Sequence, residues 1–287
     1  MQEAIKKSDV LIEALPYIKS YSGKIFVIKY GGSALVDPEI KRRVLQDIVF
    51  MSYVGIRPVL VHGGGPFINN EFKRLGRKTE FKNGLRITTK EDIEVVDKVL
   101  NKVNHGIVSD IKELGGRAVS LNTSKKDIIK IKSNEEESDL GFVGKVDEIK
   151  VGIIKKTIRP RSIPVIAPTG IGPDEQVYNV NADDVSSEIA VALKAAKLVL
   201  LTDVKGIMKE KGNEKSLIPT LNMEEADQFI NKDIIQSGMI PKVRACVRAL
   251  KGDVLKTHII DGRIPHSLLL EIFTDKGIGT EIIHVQN

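Results

Sequence analysis

The chain is predicted to be α/β: a three-layer αβα sandwich around a mainly parallel open sheet, with one extra helix at the N-terminus. Three observations predict it. Short apolar runs recur along the 287 residues. Most are continuous rather than alternating, as strands covered on both faces should be. Amphipathic stretches of helical period separate them, the order that builds parallel sheets.

In chain order, residues 2–20 come first. Leu11, Ala14, Leu15 and Ile18 fall at i, i+3, i+4 and i+7 with Ile12 beside them, so a helix there carries an apolar stripe, and Pro16 should kink or end it. Strands are expected at 25–30, 58–62, 118–121, 163–167, 198–203 and 257–261. Helices are expected at 38–53, 66–75, 90–114, 184–195, 223–230 and 242–250. The first of these has Asp37 as N-cap and Pro38 at its first position. Residues 127–151 alternate apolar and polar and read as a protruding hairpin or two, with Glu135, Glu136 and Glu137 a solvated tip. The turn-rich stretch 170–176 suggests a division into 1–22, 23–173 and 174–287.

Composition excludes several classes. The net charge is +6, but both signs are interspersed, without the basic stripe of a nucleic-acid binder. No run of about 18 apolar residues suggests a membrane span, and the first residues lack a signal-peptide core, so a cytoplasmic protein is expected. A single cysteine, Cys246, allows no internal disulfide and reads as a small buried thiol. The five histidines show no metal-ligand spacing, and no metal site is expected.

The chemistry gathers at turns. Lys29 ends an apolar run and is followed by Tyr30, Gly31 and Gly32. At the carboxyl end of a parallel strand this suits a phosphoryl group, though a surface lysine before a tight turn reads equally well. His62-Gly63-Gly64-Gly65-Pro66 is a stronger signal. Three glycines between a strand and a helix form an anion cradle of free N–H groups, and each costs chain entropy that a plain turn need not spend. Arg86, just before a long helix, suits a carboxylate, or a surface ion pair. Asn179 and Asp183 place an amide and a carboxylate near a helix start, where Asn181 or Asp183 could equally be a plain N-cap. Lys242 is read as opening a helix, where an ammonium opposes the helix dipole and has no local structural motive. Neither a P-loop nor a dinucleotide fingerprint is present.

In this order, Lys29–Gly32, His62–Pro66, 83–88, 139–145, Asn179–Asp183, 201–207 and 238–243 resemble the amino-acid kinase family, and within it the branch acting on N-acetyl-L-glutamate. The resemblance covers the chain from about residue 10 to its end. It implies the amino-acid kinase fold and ATP-dependent phosphorylation of the γ-carboxylate of N-acetyl-L-glutamate in arginine biosynthesis, with Mg2+ accompanying ATP. It implies that Lys29 and Lys242 stabilise the moving phosphoryl group and that Asp183 orients both. Gly64, Gly65, Arg86 and Asn179 would hold the acyl substrate. Gly31, Gly32, Asp203, Val204, Lys205, Gly206, Ile207, Met208, Ile234, Ile235 and Gln236 would line the nucleotide site. Residues 23–173 would then be the acceptor lobe and 174–287 the nucleotide lobe.

Arginine-inhibited members of the family resemble this chain further. They share Leu11 to Ile18 before the core and a C-terminal stretch like 266–274 followed by Gly277 and Gly279. This implies a homohexamer, a trimer of dimers interlaced by the N-terminal helices. It also implies arginine as an inhibitor, with Tyr17, His266, Glu271 and Gly279 among its contacts. An ordinary packing helix is the plainer reading of residues 1–22. A related carboxylate kinase acting on glutamate, aspartate or a carrier-bound aminoadipate is the nearest rival, and a non-catalytic small-molecule sensor the more distant one.

Overall fold

Strand β1 (Ile25–Tyr30) lies at the heart of the molecule, and its residues show why. Phe26, Val27 and Ile28 are all fully buried, yet they serve two cores. Val27 joins Val59, Val61, Leu198 and Leu200 on one face, while Phe26 and Ile28 join Leu60, Val199 and Leu201 on the other. Each such side chain contributes about 2 kcal/mol on burial, so consecutive apolar residues specify a strand covered on both sides.

The computed structural model describes residues 1–82, 84–133, 139–159, 161–210, 212–236, 238–274 and 277–284. Its eight-stranded sheet runs β12 (Thr220–Asn222), β14 (Thr280–Ile283), β13 (Lys256–Asp261), β11 (Lys197–Thr202), β1, β2 (Arg57–His62), β8 (Ile163–Ile166) and β5 (Ala118–Leu121). Every neighbouring pair is parallel except β13 with β14. Helices α2 (Pro38–Tyr53), α4 (Lys90–Glu113) and α10 (Ser267–Ile272) cover one face. Helices α6 (Val151–Ile158), α7 (Ala182–Leu193) and α9 (Met239–Lys251) cover the other, giving the three layers. The expected Asp37 cap is present, its carboxylate accepting from the N–H groups of Glu39 and Ile40 at 2.9 Å.

Smaller elements wall off the site. Helix α3 (Gly65–Arg74) packs on α4 through Ile68, Phe72, Val96 and Leu100. A four-stranded sheet orders β10 (Val177–Asn179), β9 (Thr169–Ile171), β6 (Ile129–Ser133) and β7 (Gly144–Ile149), and β6 with β7 is the hairpin expected within 127–151. The glutamates at 135–137 lie outside the described residues. A short hairpin, β3 (Phe81–Lys82) and β4 (Leu85–Arg86), precedes α4. Helices α5 (Thr123–Lys126) and α8 (Met223–Asn231) complete the set.

Two expectations need correction, and of the two outcomes expected at Pro16 the ending of the helix does not occur. Helix α1 (Gln2–Tyr21) passes through Pro16 without ending. The residues after the proline, Tyr17, Ile18 and Tyr21, pack with Ala14 against the core, and that packing offsets the lost hydrogen bond. The inward face of α1 is therefore Ala14, Tyr17, Ile18 and Tyr21, whereas Leu15 is 55% exposed and Ile12 67%. The Leu11 side chain lies outside the described ones. Finally, α9 begins at Met239 with Gly238 as N-cap, so Lys242 is its fourth residue rather than its first. Pro241 is tolerated there because the first turn needs no backbone donor. Among the described residues no helix is long and apolar enough to cross a membrane.

Candidate functional site

Asp183 sits in the first turn of α7, whose N-cap Asn181 accepts hydrogen bonds from the Asp183 N–H at 2.7 Å and the Asp184 N–H at 3.4 Å. This cap points the first turn toward the carboxyl ends of β1 and β2, where Lys29 and the glycines lie. Lys29 Nζ stands 3.0 Å from Asp183 Oδ1 as an ion pair. From α9, Lys242 Nζ donates to Oδ2 of the same carboxylate at 3.0 Å. Three residues separated by 154 and 59 positions (183 − 29 and 242 − 183) thus form one triad, in which Lys29 and Asp183 are buried and Lys242 is half-buried. Burial by itself raises a carboxyl pKa, yet the two ammonium groups outweigh it and bring Asp183 down to about 2. The triad sets two cations against one anion, with the Asp183 carboxylate buried between them.

Two cavities meet at the triad. The first, about 280 Å³, is lined by Lys29, Asp183, the glycine turn 63–65, Gly32, Arg86 and Asn179, with Leu100, Phe81 and Val143 among its apolar walls. The glycines there do different jobs. Gly63 comes so close to Gly31 that a Cβ on it would stand 3.3 Å from the Gly31 Cα. A Cβ on Gly64 would stand 2.3 Å from Leu100 Cδ2, whereas Gly65 faces open space. Close backbone packing and access to the cavity together explain why three glycines follow one another here.

Arg86 is 6% exposed and is held by apolar and polar contacts alike. Its guanidinium carbon lies 4.8 Å from the centre of the Phe81 ring and 5.5 Å from that of Phe72. Its Nη2 donates to Asn69 Oδ1 at 2.6 Å, and among the described residues its buried Nη1 has no hydrogen-bond partner. A buried guanidinium nitrogen left open at a cavity wall is equipped for an anionic oxygen. Asn179 is braced by the loop at 140–143. Phe142 N donates to Thr88 O at 2.7 Å, Thr88 N to Leu140 O at 3.0 Å, and Asn179 N to Phe142 O at 2.9 Å.

The second cavity, about 800 Å³, opens on the other side of the triad and is lined by Lys242. Of the residues expected at a nucleotide, Asp203, Val204, Gly206, Ile207, Met208, Ile234, Ile235 and Gln236 line it. Lys205 does not; its ammonium is bound to Glu214 at 2.6 Å. Gly32 lines the first cavity instead, and Gly31 packs between Lys29 and Gly63. Among the described residues no group of three or more His, Cys, Asp or Glu side chains could hold a metal ion.

A third cavity, about 220 Å³, joins α1 to the far edge of the sheet. Of the residues named for arginine, Tyr17, Glu271 and Gly279 line it and His266 does not, its Nδ1 being 2.7 Å from Asp47 Oδ1. Sequence reading missed Lys197, Lys256, His258 and Glu281 here, because single polar residues on strands carry no periodic signal. Glu271 accepts from Ile278 N at 2.7 Å and Gly279 N at 3.2 Å, and its other oxygen meets His258 Nδ1 at 2.7 Å. Burial lowers Lys197 to about 8 and also lowers His258, which receives the Lys197 ammonium at 3.0 Å on Nε2.

Known proteins resemble the chain over nearly its whole length. The family model described as "Amino acid kinase family" matches residues 24–261. An acetylglutamate kinase of Thermoanaerobacter pseudethanolicus is 50% identical over 281 residues, 98% of this chain and 94% of the relative. One of Syntrophomonas wolfei is 50% identical over 282 residues, 98% of each. Among solved structures, N-acetylglutamate synthase from Neisseria gonorrhoeae, complexed with coenzyme A and N-acetyl-glutamate, is similar with a TM-score of 0.87 at 25% identity. That alignment covers 98% of this chain and 64% of the synthase chain.

Proposed function

The chain belongs to the amino acid kinase family and, within it, to the acetylglutamate kinases, and we propose that the Lys29–Asp183–Lys242 triad transfers the γ-phosphoryl group of ATP to the γ-carboxylate of N-acetyl-L-glutamate. The observation that carries this reading is the single Asp183 carboxylate 3.0 Å from both lysines where two cavities meet. A γ-carboxyl with a pKa near ~4.3 is already ionised at neutral pH, so the nucleophile needs no general base. The difficulty is bringing this anion to a polyanion, and fixed cations with backbone N–H donors meet it. Lys29 faces the attacking oxygen and Lys242 the leaving one. The carboxylate oxygen bonds to phosphorus as the bond to the bridging oxygen breaks, leaving an acyl phosphate and ADP. Asp183 holds both ammonium groups to the same point. The 800 Å³ cavity would hold ATP, and a magnesium ion would have to arrive with it, since no cluster of His, Cys, Asp or Glu among the described residues would hold one. Bound there, the ion would supply further charge neutralisation at the phosphates.

Arg86 takes the α-carboxylate through its open Nη1, with Asn179 beside it. Arg86→Ala should therefore raise KM for N-acetylglutamate by about 50-fold or more, with KM for ATP little changed, since one charge-assisted fork is worth roughly 2–3 kcal/mol. Steady-state kinetics with each substrate varied in turn would read this, and an equal rise in both KM values would remove Arg86 from the acceptor side.

We further propose that the 220 Å³ cavity binds free arginine as an inhibitor and that α1 links subunits into a hexamer. Glu271 and Glu281 suit the guanidinium and ammonium groups, and Lys197 and Lys256 suit the carboxylate. Ile5, Ile12 and Leu15, spaced by seven and three residues, form an outward apolar face on α1 that a second copy of the chain can cover. The test is turnover on N-acetylglutamate, glutamate and aspartate, with and without arginine, for the full chain and for one lacking residues 1–20. The expected result is turnover on N-acetylglutamate alone, inhibited by arginine only in the full chain, and a smaller assembly for the truncated chain in sedimentation. Turnover on glutamate or aspartate instead would reject the substrate, and inhibition that survives truncation would reject the α1 site.

A further inference from the structure

His62 ends β2 one residue before the glycine turn and is fully buried. It lines none of the three cavities described above, so it can touch neither substrate. Both ring nitrogens are nonetheless engaged. Nδ1 lies 2.8 Å from the carbonyl oxygen of Gly63, and Nε2 lies 3.1 Å from Asn104 Nδ2 on α4. The same Asn104 nitrogen donates to Val165 O on β8 at 3.0 Å.

This chain of contacts has a direction. Val165 O can only accept, which turns the amide nitrogen of Asn104 toward it and toward the histidine. Nε2 is then an acceptor, the single ring proton sits on Nδ1, and Nδ1–H donates to Gly63 O. The orientation is kept even though it leaves Asn104 Oδ1 buried without a partner among the described residues. A buried polar atom left unsatisfied in this way marks an arrangement held for something other than stability. Burial also lowers His62 to about 4, so the ring stays neutral at working pH and Nε2 remains free to accept.

The consequence lies on the far side of the Gly63–Gly64 peptide, which is trans. In a trans peptide the C=O of one residue and the N–H of the next point in opposite directions. With the Gly63 carbonyl drawn back toward the ring, the Gly64 N–H is turned away from the ring, and Gly64 itself lines the first cavity together with Lys29. Among the described residues that N–H has no hydrogen-bond partner.

We infer that His62 is a positioning residue: through the Gly63 carbonyl it holds the Gly64 N–H as a preorganised donor to the oxygen that gains charge during phosphoryl transfer. The inference rests on the proposed function. It adds that one buried imidazole tautomer, two bonds removed from the reacting atoms, sets the aim of the donor. A donor fixed before the reaction avoids reorganisation as charge develops.

The test has two independent arms. In the first, the full chain carrying 15N-labelled histidine is examined by long-range 1H–15N correlation at pH 7. The expected result is His62 as the Nδ1–H tautomer, and an Nε2–H tautomer would overturn the inference. In the second, His62→Leu, which cannot donate, is compared with His62→Asn, whose amide reaches the place of Nδ1. His62→Leu should lose about 10- to 100-fold in kcat with both KM values within about two-fold, and its affinity for ADP with aluminium fluoride and N-acetylglutamate should fall in parallel. His62→Asn should recover kcat to within about five-fold of the parent. A folded His62→Leu with parental kcat, or a folded His62→Asn as impaired as the leucine variant, would overturn the positioning role. If the parent chain itself failed to turn over N-acetylglutamate, the proposed function would fall instead, and the tautomer would still be read separately.

Discussion

Lys242→Ala is expected to lower kcat by about 100-fold or more, and Lys29→Ala by a similar factor, because in the proposed transfer each removes a fixed cation from the charge that develops in the transition state. The two losses should differ in kind. Lys29 lines the smaller cavity with Arg86, and Lys242 lines the larger one with Asp203, Val204 and Gly206 to Met208. Lys29→Ala should therefore also weaken the acceptor, whereas Lys242→Ala should also weaken the nucleotide. Initial-rate kinetics with each substrate varied separate these, and near-parental kcat in either variant would strip that lysine of its role. The double variant should lose less than the product of the two factors, since both act on one phosphoryl group and share one carboxylate 3.0 Å from each.

Asp183→Asn is the second large effect, and it should appear in stability as well as in turnover. Asp183 is 5% exposed and faces two ammonium groups, so neutralising it leaves two cations without their anion. Breaking a buried ion pair costs about 3 kcal/mol or more. At roughly 3 °C per kcal/mol for a chain of this size, Tm should fall by roughly 10 °C. The acid limb should change too. Asp183 is depressed from 3.8 to about 2 in the folded chain. Its contribution is therefore fully present above pH 3.8 and is lost as pH falls toward 2, and Asp183→Asn should lack that component. Thermal melts of parent and variant between pH 5 and pH 2 would show the gap narrowing on acidification. A constant gap across that window would mean that Asp183 does not stabilise the fold through its charge. Adding Lys242→Ala to Asp183→Asn should restore part of the lost stability, because the surplus cation goes with it.

Much of the architecture was legible because its causes are local. Strand β1 and strand β5 begin and end where their apolar runs do, at Ile25–Tyr30 and Ala118–Leu121. Asp37, Thr89 and Asn181 each cap a helix near an expected start, through side-chain oxygens that accept backbone N–H groups a few residues on. What could not be read was set by distant partners. Strands β9, β10 and β12 have three residues each, too few to show a period, and exist because neighbouring strands supply their hydrogen bonds. Helix α1 continues past Pro16 because packing on the body outweighs a local breaker, a balance that no local pattern displays.

The same division holds at the site. Lys242 stands out in the sequence because an ammonium near a helix start lacks a local structural motive, whereas Lys29, Arg86 and Asp183 also read as a surface lysine, an ion-pair partner and a helix cap. Their meeting is a different matter. The sequence by itself determined the elements, the sheet class and the kinds of side chain available to handle an anion, because propensity, periodicity and capping act over a few residues. Only the tertiary structure decided that Asp183 lies between the two lysines, that Lys205 turns to Glu214 and His266 to Asp47, and that His62 reaches the Gly63 carbonyl. Those outcomes depend on strand order and on which faces are buried together, and electrostatics at 3 Å responds to position in space rather than to position along the chain.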